Sequence, residues 1–109
     1  MQVQFILYVA DQVRSRDFYA TLLGQAPTLH VPGMTEFDLG GCKLGLMPDE
    51  GIARIITPAL AHPSTGSGIP RCELYLLVDD LAAAEQRAQA AGARLIDPAA
   101  DRDWGHRAA

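Results

Sequence analysis

The chain has 109 residues, with nine Lys and Arg against thirteen Asp and Glu, a formal charge of −4. That is the length of one domain, and 49 % apolar with 20 % charged residues excludes a disordered chain or a coiled coil. The acidic balance argues against a general nucleic-acid binder, and no apolar run reaches the roughly 18–20 residues of a membrane-spanning helix.

Gln4 to Val9 (QFILYV) reads as a buried strand. Asp11 follows as an N-cap, since its carboxylate can accept from the free N–H groups of a first helical turn. Val13, Phe18, Tyr19, Leu22 and Leu23 fit one helix face, and Gly24 suits the left-handed position after the helix. Thr28–Val31, Met34–Leu39 and Cys42–Met47 are short strand-like runs separated by Pro32-Gly33 and Gly40-Gly41, the latter a two-residue hairpin signal. Residues 1–48 therefore read β-α-β-β-β. Residues 49–71 carry Pro58, Pro63, Pro70 and a Ser/Gly run, and are expected to form a linker, with Ile52–Ile56 as a short apolar stretch that docks.

The pattern then restarts in residues 72–109. Glu73–Val78 (ELYLLV) reads as a strand, Asp79 and Asp80 as caps, and Leu81, Ala84, Ala88 and Ala91 as one helical stripe ending at Gly92. Arg94–Ile96 begins a further strand, stopped by Asp97-Pro98. Gln4–Asp11 laid over Glu73–Asp80 brings strand and cap into step at an offset of 69 residues. Such a repeat decides architecture before any other feature. The expected fold is α+β: one domain over 1–109, made of tandem βαβββ modules forming a half-open mixed sheet around a cleft. The offset sets Ala109 against Gly40, so the second module is expected to be incomplete and C-terminally truncated, lacking a counterpart of Cys42–Met47 and starting a third strand near Trp104. An unpaired edge left in this way invites another chain's strand.

Side-chain alternation sorts the strands into faces. If Gln4 points into the cleft, so do Ile6 and Tyr8, and in the second module Glu73, Tyr75 and Leu77. Phe5, Leu7 and Val9 then face the helix. A cleft with an apolar and aromatic wall and few polar points is what small-molecule sites use. Trp104 is placed either to stack on a planar ligand or to anchor a loop. Arg107 can hold an anion bidentately or form a structural ion pair. Glu73 can equally pair with Lys43 or Arg71.

The run Val9-x-Asp11, Ser15, Phe18-Tyr19, Leu22-Leu23-Gly24, with Glu73–Asp80 and Asp103-Trp104-Gly105-x-Arg107, resembles the vicinal oxygen chelate superfamily. That group includes glyoxalase I, bleomycin-resistance proteins and extradiol dioxygenases. The Trp-Gly-x-Arg segment is most similar to the bleomycin-resistance branch. The resemblance implies divalent-metal positions at Gln4 and Glu73, a third near Gly45, which has no side chain to offer, and a fourth beyond Ala109. It also places Lys43, Gly45 and Met47 inward, giving Tyr8, Lys43, Met47, Tyr75, Leu77, Trp104 and Arg107 as ligand-binding candidates.

Three functions follow as expectations. The first is a module that binds a small, partly planar molecule with no cofactor. The second is a glyoxalase-type lyase or isomerase using Mn, Fe, Ni, Zn or Mg at Gln4 and Glu73, where a divalent ion would stabilise an oxyanion. The third is an inactive, truncated chain. The resemblance further implies a homodimer with its clefts at the interface. Cys42 and Cys72 lack the partners of a zinc site or a disulfide framework, and Met1-Gln2-Val3-Gln4 lacks a basic leader. A cytoplasmic protein contacting neither nucleic acid nor membrane is expected.

Overall fold

The computed structural model describes residues 1–69 and 72–109. In the first module, β1 (Gln4–Val9) leads into α1 (Gln12–Leu23), followed by β2 (Leu29–Val31), β3 (Met34–Asp38) and β4 (Lys43–Pro48). The Asp11 carboxylate accepts from the Arg14 N–H at 2.9 Å, and Gly24 closes the helix at φ 66°, as the sequence leads one to expect. The four strands form a mixed sheet in the order β1-β4-β3-β2, with β1 parallel to β4 and the other pairs antiparallel. Its register is set at the Gly40-Gly41 turn. Leu39 N–H donates to the Cys42 carbonyl at 2.9 Å, and Gly40 adopts φ 95°, a conformation that favours glycine.

The core lies between this sheet and α1. Phe37, Leu44 and Leu46 are buried, with Leu7, Val9, Tyr19, Ala20 and Leu23 packed against them. Each such large side chain contributes about 1.5–3 kcal/mol when fully buried. The buried hydroxyl of Thr35 is satisfied. Gln12 Nε2 donates to Thr35 Oγ1 at 3.0 Å and to the Val31 carbonyl at 2.8 Å, while Gln12 Oε1 accepts from the Gly33 N–H. Arg16 can only donate, so its 3.0 Å contact makes His30 Nε2 an acceptor. His30 Nδ1–H then donates to Thr35 Oγ1 at 2.7 Å. This network pins the start of α1 to the β2–β3 hairpin.

The segment after β4 departs from the expected linker. Asp49–Ile56 is a helix, α2, that begins directly at the end of the strand. The stretch before Pro58 is free of proline, Asp49 and Glu50 sit in its first turn, and Arg54 in its last, which suits the helix dipole. Ala53 is buried, so the stretch expected to dock does so as a helix. Thr57, extended ahead of Pro58, ends it. A 3₁₀ turn at Pro63–Thr65 follows, tied to α2 by His62 Nε2 and Glu50 Oε1 at 3.2 Å. Pro70 and Arg71, and with them the suggested Arg71–Glu73 pair, lie outside the described residues.

In the second module, α3 (Leu81–Ala90) forms as expected, with the Asp80 carboxylate accepting from the Ala83 N–H at 3.0 Å. Its strands do not. Glu73–Val78 and Arg94–Ile96 join no ladder among the described residues. The physical reason is visible in the first module, where β1 pairs only with β4. Among the described residues no segment takes the place of β4 beside Glu73–Val78. What does pair is a short hairpin, β5 (Ala100–Asp101) with β6 (Arg107–Ala108), and Trp104 lies in its turn and does not begin a strand. Among the described residues no helix is long and apolar enough to cross a membrane.

Candidate functional site

The structure divides the expected site residues between two places. The first is the sheet face of the first module opposite α1. The ladder puts Gln4 beside Lys43, Ile6 beside Gly45, and Tyr8 beside Met47, so the inward set deduced from alternation shares one face. β3 adds Glu36, which sits opposite Gly45. Gln4 Nε2 donates to Glu36 Oε1 at 3.2 Å, and Lys43 Nζ donates to Glu36 Oε2 at 3.3 Å. Glu36 is largely covered, with its side chain 17 % exposed. Sequence reasoning missed it, although carrying the Gly40-Gly41 register back along β3 would have found it.

Gly45 makes this triad possible. Gln4 and Glu36 stand on strands either side of β4, and a Cβ on Gly45 would lie 2.7 Å from Gln4 Nε2. The absent side chain lets the Gln4 amide cross β4 and reach the carboxylate.

These residues do not suit a divalent metal. Gly45 offers no side-chain donor, and an ammonium already occupies the carboxylate nearest Gln4. Lys43 pairs with Glu36 and not with Glu73, which is exposed. Among the described residues no group of three or more His, Cys, Asp and Glu side chains is placed to hold a metal ion. Known metal sites commonly use three or four protein ligands.

The second place is an open groove of about 820 Å³ where α1 of the first module meets the second module, lined by α1, α3 and the 74–78 and 93–97 segments. Tyr75, Leu77 and Arg107 line it; Tyr8, Lys43, Met47 and Trp104 do not. At its edge Trp104 Nε1–H donates to Tyr75 Oη at 3.2 Å, and the same oxygen is hydrogen-bonded to His106 Nδ1 at 2.8 Å. The Tyr75 and His106 rings are stacked, 5.8 Å between centroids and 26° apart. His106 reads in the sequence as an isolated loop residue, and only the hairpin brings it to Tyr75. Arg107 Nη1 pairs with Asp101 Oδ1 at 3.1 Å across the β5–β6 ladder. Cys42 and Cys72 are both free.

A family model described as the Glyoxalase/Bleomycin resistance protein/Dioxygenase superfamily matches residues 2–109. Among solved structures, the chain is similar to a glyoxalase/bleomycin resistance protein/dioxygenase from Nocardioides, with a TM-score of 0.73 and 22 % identity, covering 95 % of this chain and 70 % of that one. It is similar to a glyoxalase-related enzyme from Fulvimarina pelagi, with a TM-score of 0.74 and 21 % identity over 96 % and 74 % of the two chains. A protein from Agrobacterium tumefaciens, determined by solution NMR, gives a TM-score of 0.67 and 27 % identity over 96 % and 82 %. No curated protein matches.

Proposed function

The chain belongs to the glyoxalase/bleomycin resistance/dioxygenase superfamily, and from that membership we propose that it binds a small, partly planar molecule without using a catalytic metal. The observation that carries this reading is Gly45, over which Gln4 reaches Glu36 and closes a Gln4–Glu36–Lys43 triad where a ligand set would need another donor. The planar class is supported by the open groove. Its volume falls in the roughly 300–1,000 Å³ range of small-molecule sites, and the stacked rings of Tyr75 and His106 line it, with Trp104 hydrogen-bonded to Tyr75. Aromatic faces hold planar ligands through offset stacking, worth about 0.5–1.5 kcal/mol beyond the area buried.

Trp104 is the chain's one tryptophan and donates to Tyr75 Oη, so its emission reports on changes at Tyr75. Titration with a panel of planar aromatic compounds is expected to find at least one that quenches it saturably. Tyr75→Ala is expected to weaken that compound about tenfold, the equivalent of about 1.4 kcal/mol. Protein purified without chelator is expected to carry no stoichiometric metal. Stoichiometric Mn, Fe, Ni or Zn that is lost in Gln4→Ala or Glu73→Ala would overturn the proposal in favour of the metal-dependent lyase. A chain that neither retains metal nor responds to any compound would overturn it in favour of the inert alternative.

A further inference from the structure

We infer that Ser64 is a reactive nucleophile, with His62 as its general base and Glu50 as the positioning residue behind His62, and that it takes acyl groups from activated esters. The three residues belong to neither of the two places described above, so this reactivity is independent of the proposed ligand.

The chemistry starts from one backbone group. The Ser64 N–H lies 3.2 Å from His62 Nδ1. A backbone N–H can only donate, so Nδ1 presents its lone pair and the proton of the neutral ring sits on Nε2. That second nitrogen faces Glu50 Oε1 at 3.2 Å, and an ionised carboxylate can only accept. Both sides of the ring therefore demand the same tautomer. Ser64 Oγ approaches the Nδ1 lone pair at 2.7 Å, closer than the amide does, and donates its hydroxyl proton there. Hydroxyl, imidazole and carboxylate stand in hydrogen-bonded sequence, the arrangement that activates a weak nucleophile.

Two short elements hold it. Glu50 lies in the first turn of α2, and His62 caps the 3₁₀ turn at Pro63–Thr65. Ser64 is exposed, so a dissolved ester reaches its oxygen, while the His62 side chain is partly covered, at 29 % exposure. In the reaction Oγ attacks the ester carbonyl carbon and its proton passes to His62 Nδ1. The tetrahedral intermediate then loses the alcohol, which leaves with that proton, and the acyl group remains on Ser64. Water releases the acid by the same route.

The turn also sets the class of ester. Serine hydrolases use backbone N–H groups, that of the nucleophile among them, to hold the developing oxyanion. Here the Ser64 N–H donates to His62 Nδ1, the Thr65 N–H to the His62 carbonyl at 3.0 Å and the Gly66 N–H to the Pro63 carbonyl at 3.1 Å. All three are committed to the turn, and the oxyanion is left to water. The substrates are therefore esters with a good leaving group, such as aryl esters, and not ordinary alkyl esters or amides.

Ser67, an exposed serine in the same segment, is an internal control. The 109-residue protein is treated with p-nitrophenyl acetate at mildly alkaline pH, and acetylated residues are mapped and timed by peptide mass spectrometry. General-base help is worth about 10²–10⁴-fold, so Ser64 is expected to react about 100-fold faster than Ser67. His62→Asn separates base from cap: its amide oxygen still accepts from the Ser64 N–H but does not take up the hydroxyl proton. It is expected to bring Ser64 down to the rate of Ser67 while the backbone resonances of Thr65 and Gly66 stay in place. Glu50→Ala is expected to slow Ser64 about tenfold and to move the His62 ring nitrogen resonances toward a mixture of tautomers. Glu50→Gln, whose amide oxygen still accepts from Nε2–H, is expected to restore most of the rate. Equal rates at Ser64 and Ser67 in the unaltered protein, a comparison that needs no variant, overturn the inference. So does a preference for Ser64 that survives His62→Asn. Rate and ring resonances that Glu50→Ala leaves unchanged overturn the role given to Glu50.

Discussion

The two modules begin alike and end differently. Gln4–Asp11 and Glu73–Asp80 are both an apolar run followed by an aspartate cap, and both carboxylates cap the first turn of a helix, at 2.9 and 3.0 Å. Yet the first run is a strand in a four-stranded sheet and the second joins no ladder among the described residues. The helix needs only its own residues and a cap, because its hydrogen bonds are local. The strand needs a partner, because its hydrogen bonds are with another segment. β1 has β4, and among the described residues Leu74–Val78 has no such neighbour. The same composition therefore gives a core in one module and an open apolar groove beside the other.

The largest expected effect breaks this comparison at the core. Phe37→Ala removes a wholly buried ring from beneath α1 and is expected to cost about 3–5 kcal/mol in urea unfolding. Leu76→Ala is expected to cost under about 1 kcal/mol, because Leu76 is 36 % exposed and leaves little cavity. Similar costs for the two would mean that the second module holds a packed core of its own. The caps sharpen the comparison from the other side. Asp11→Ala and Asp80→Ala are each expected to cost about 1 kcal/mol, read from thermal melting of the helical circular dichroism. Equal losses in a packed and an unpacked module would follow from the local nature of the cap.

The first module was legible because its punctuation is local. Asp11, Gly24 and Gly40-Gly41 mark a helix start, a helix end and a hairpin, and each works within a few residues. The second module's strands were not legible as unpaired, because propensity in Glu73–Val78 says nothing of whether a partner exists. α2 was hidden because three prolines and a Ser/Gly run dominate the window, although all of them lie after Ile56. Glu36 was within reach through strand register, but a carboxylate in mid-strand reads as solvated until Gln4 and Lys43 are placed beside it. His106 could not be read, because its partner Tyr75 lies 31 residues away.

A smaller change tests the Gln4–Glu36 bridge. An added methyl in Gly45→Ala meets the far end of the Gln4 side chain at 2.7 Å, and Gln4 can swing aside. The loss is then one partly exposed hydrogen bond, about 1 kcal/mol. The Gln4 side-chain amide resonances are expected to move, while the Lys43–Glu36 pair persists. If they do not move, the amide does not reach Glu36 in solution.

The smallest effect concerns alkaline pH, and only the first module should feel it. Tyr19 packs against the buried cluster of Phe37, Leu44 and Leu46, and burial raises its phenol above the ordinary value of 10.0 because the phenolate would lose its hydration. The unfolded chain ionises at the ordinary value, while the folded chain resists. Any stability linked to Tyr19 is therefore fully present below that value and is lost as pH rises through the raised folded value. Urea midpoints are expected to hold from neutrality to about pH 9.5 and then fall, and Tyr19→Phe is expected to flatten part of that fall. α3 contains no tyrosine, so no counterpart of this effect arises from the helix of the second module. A fall of unchanged depth in Tyr19→Phe would mean that the phenol stays hydrated, and that α1 covers the first module's core less closely than its packing requires.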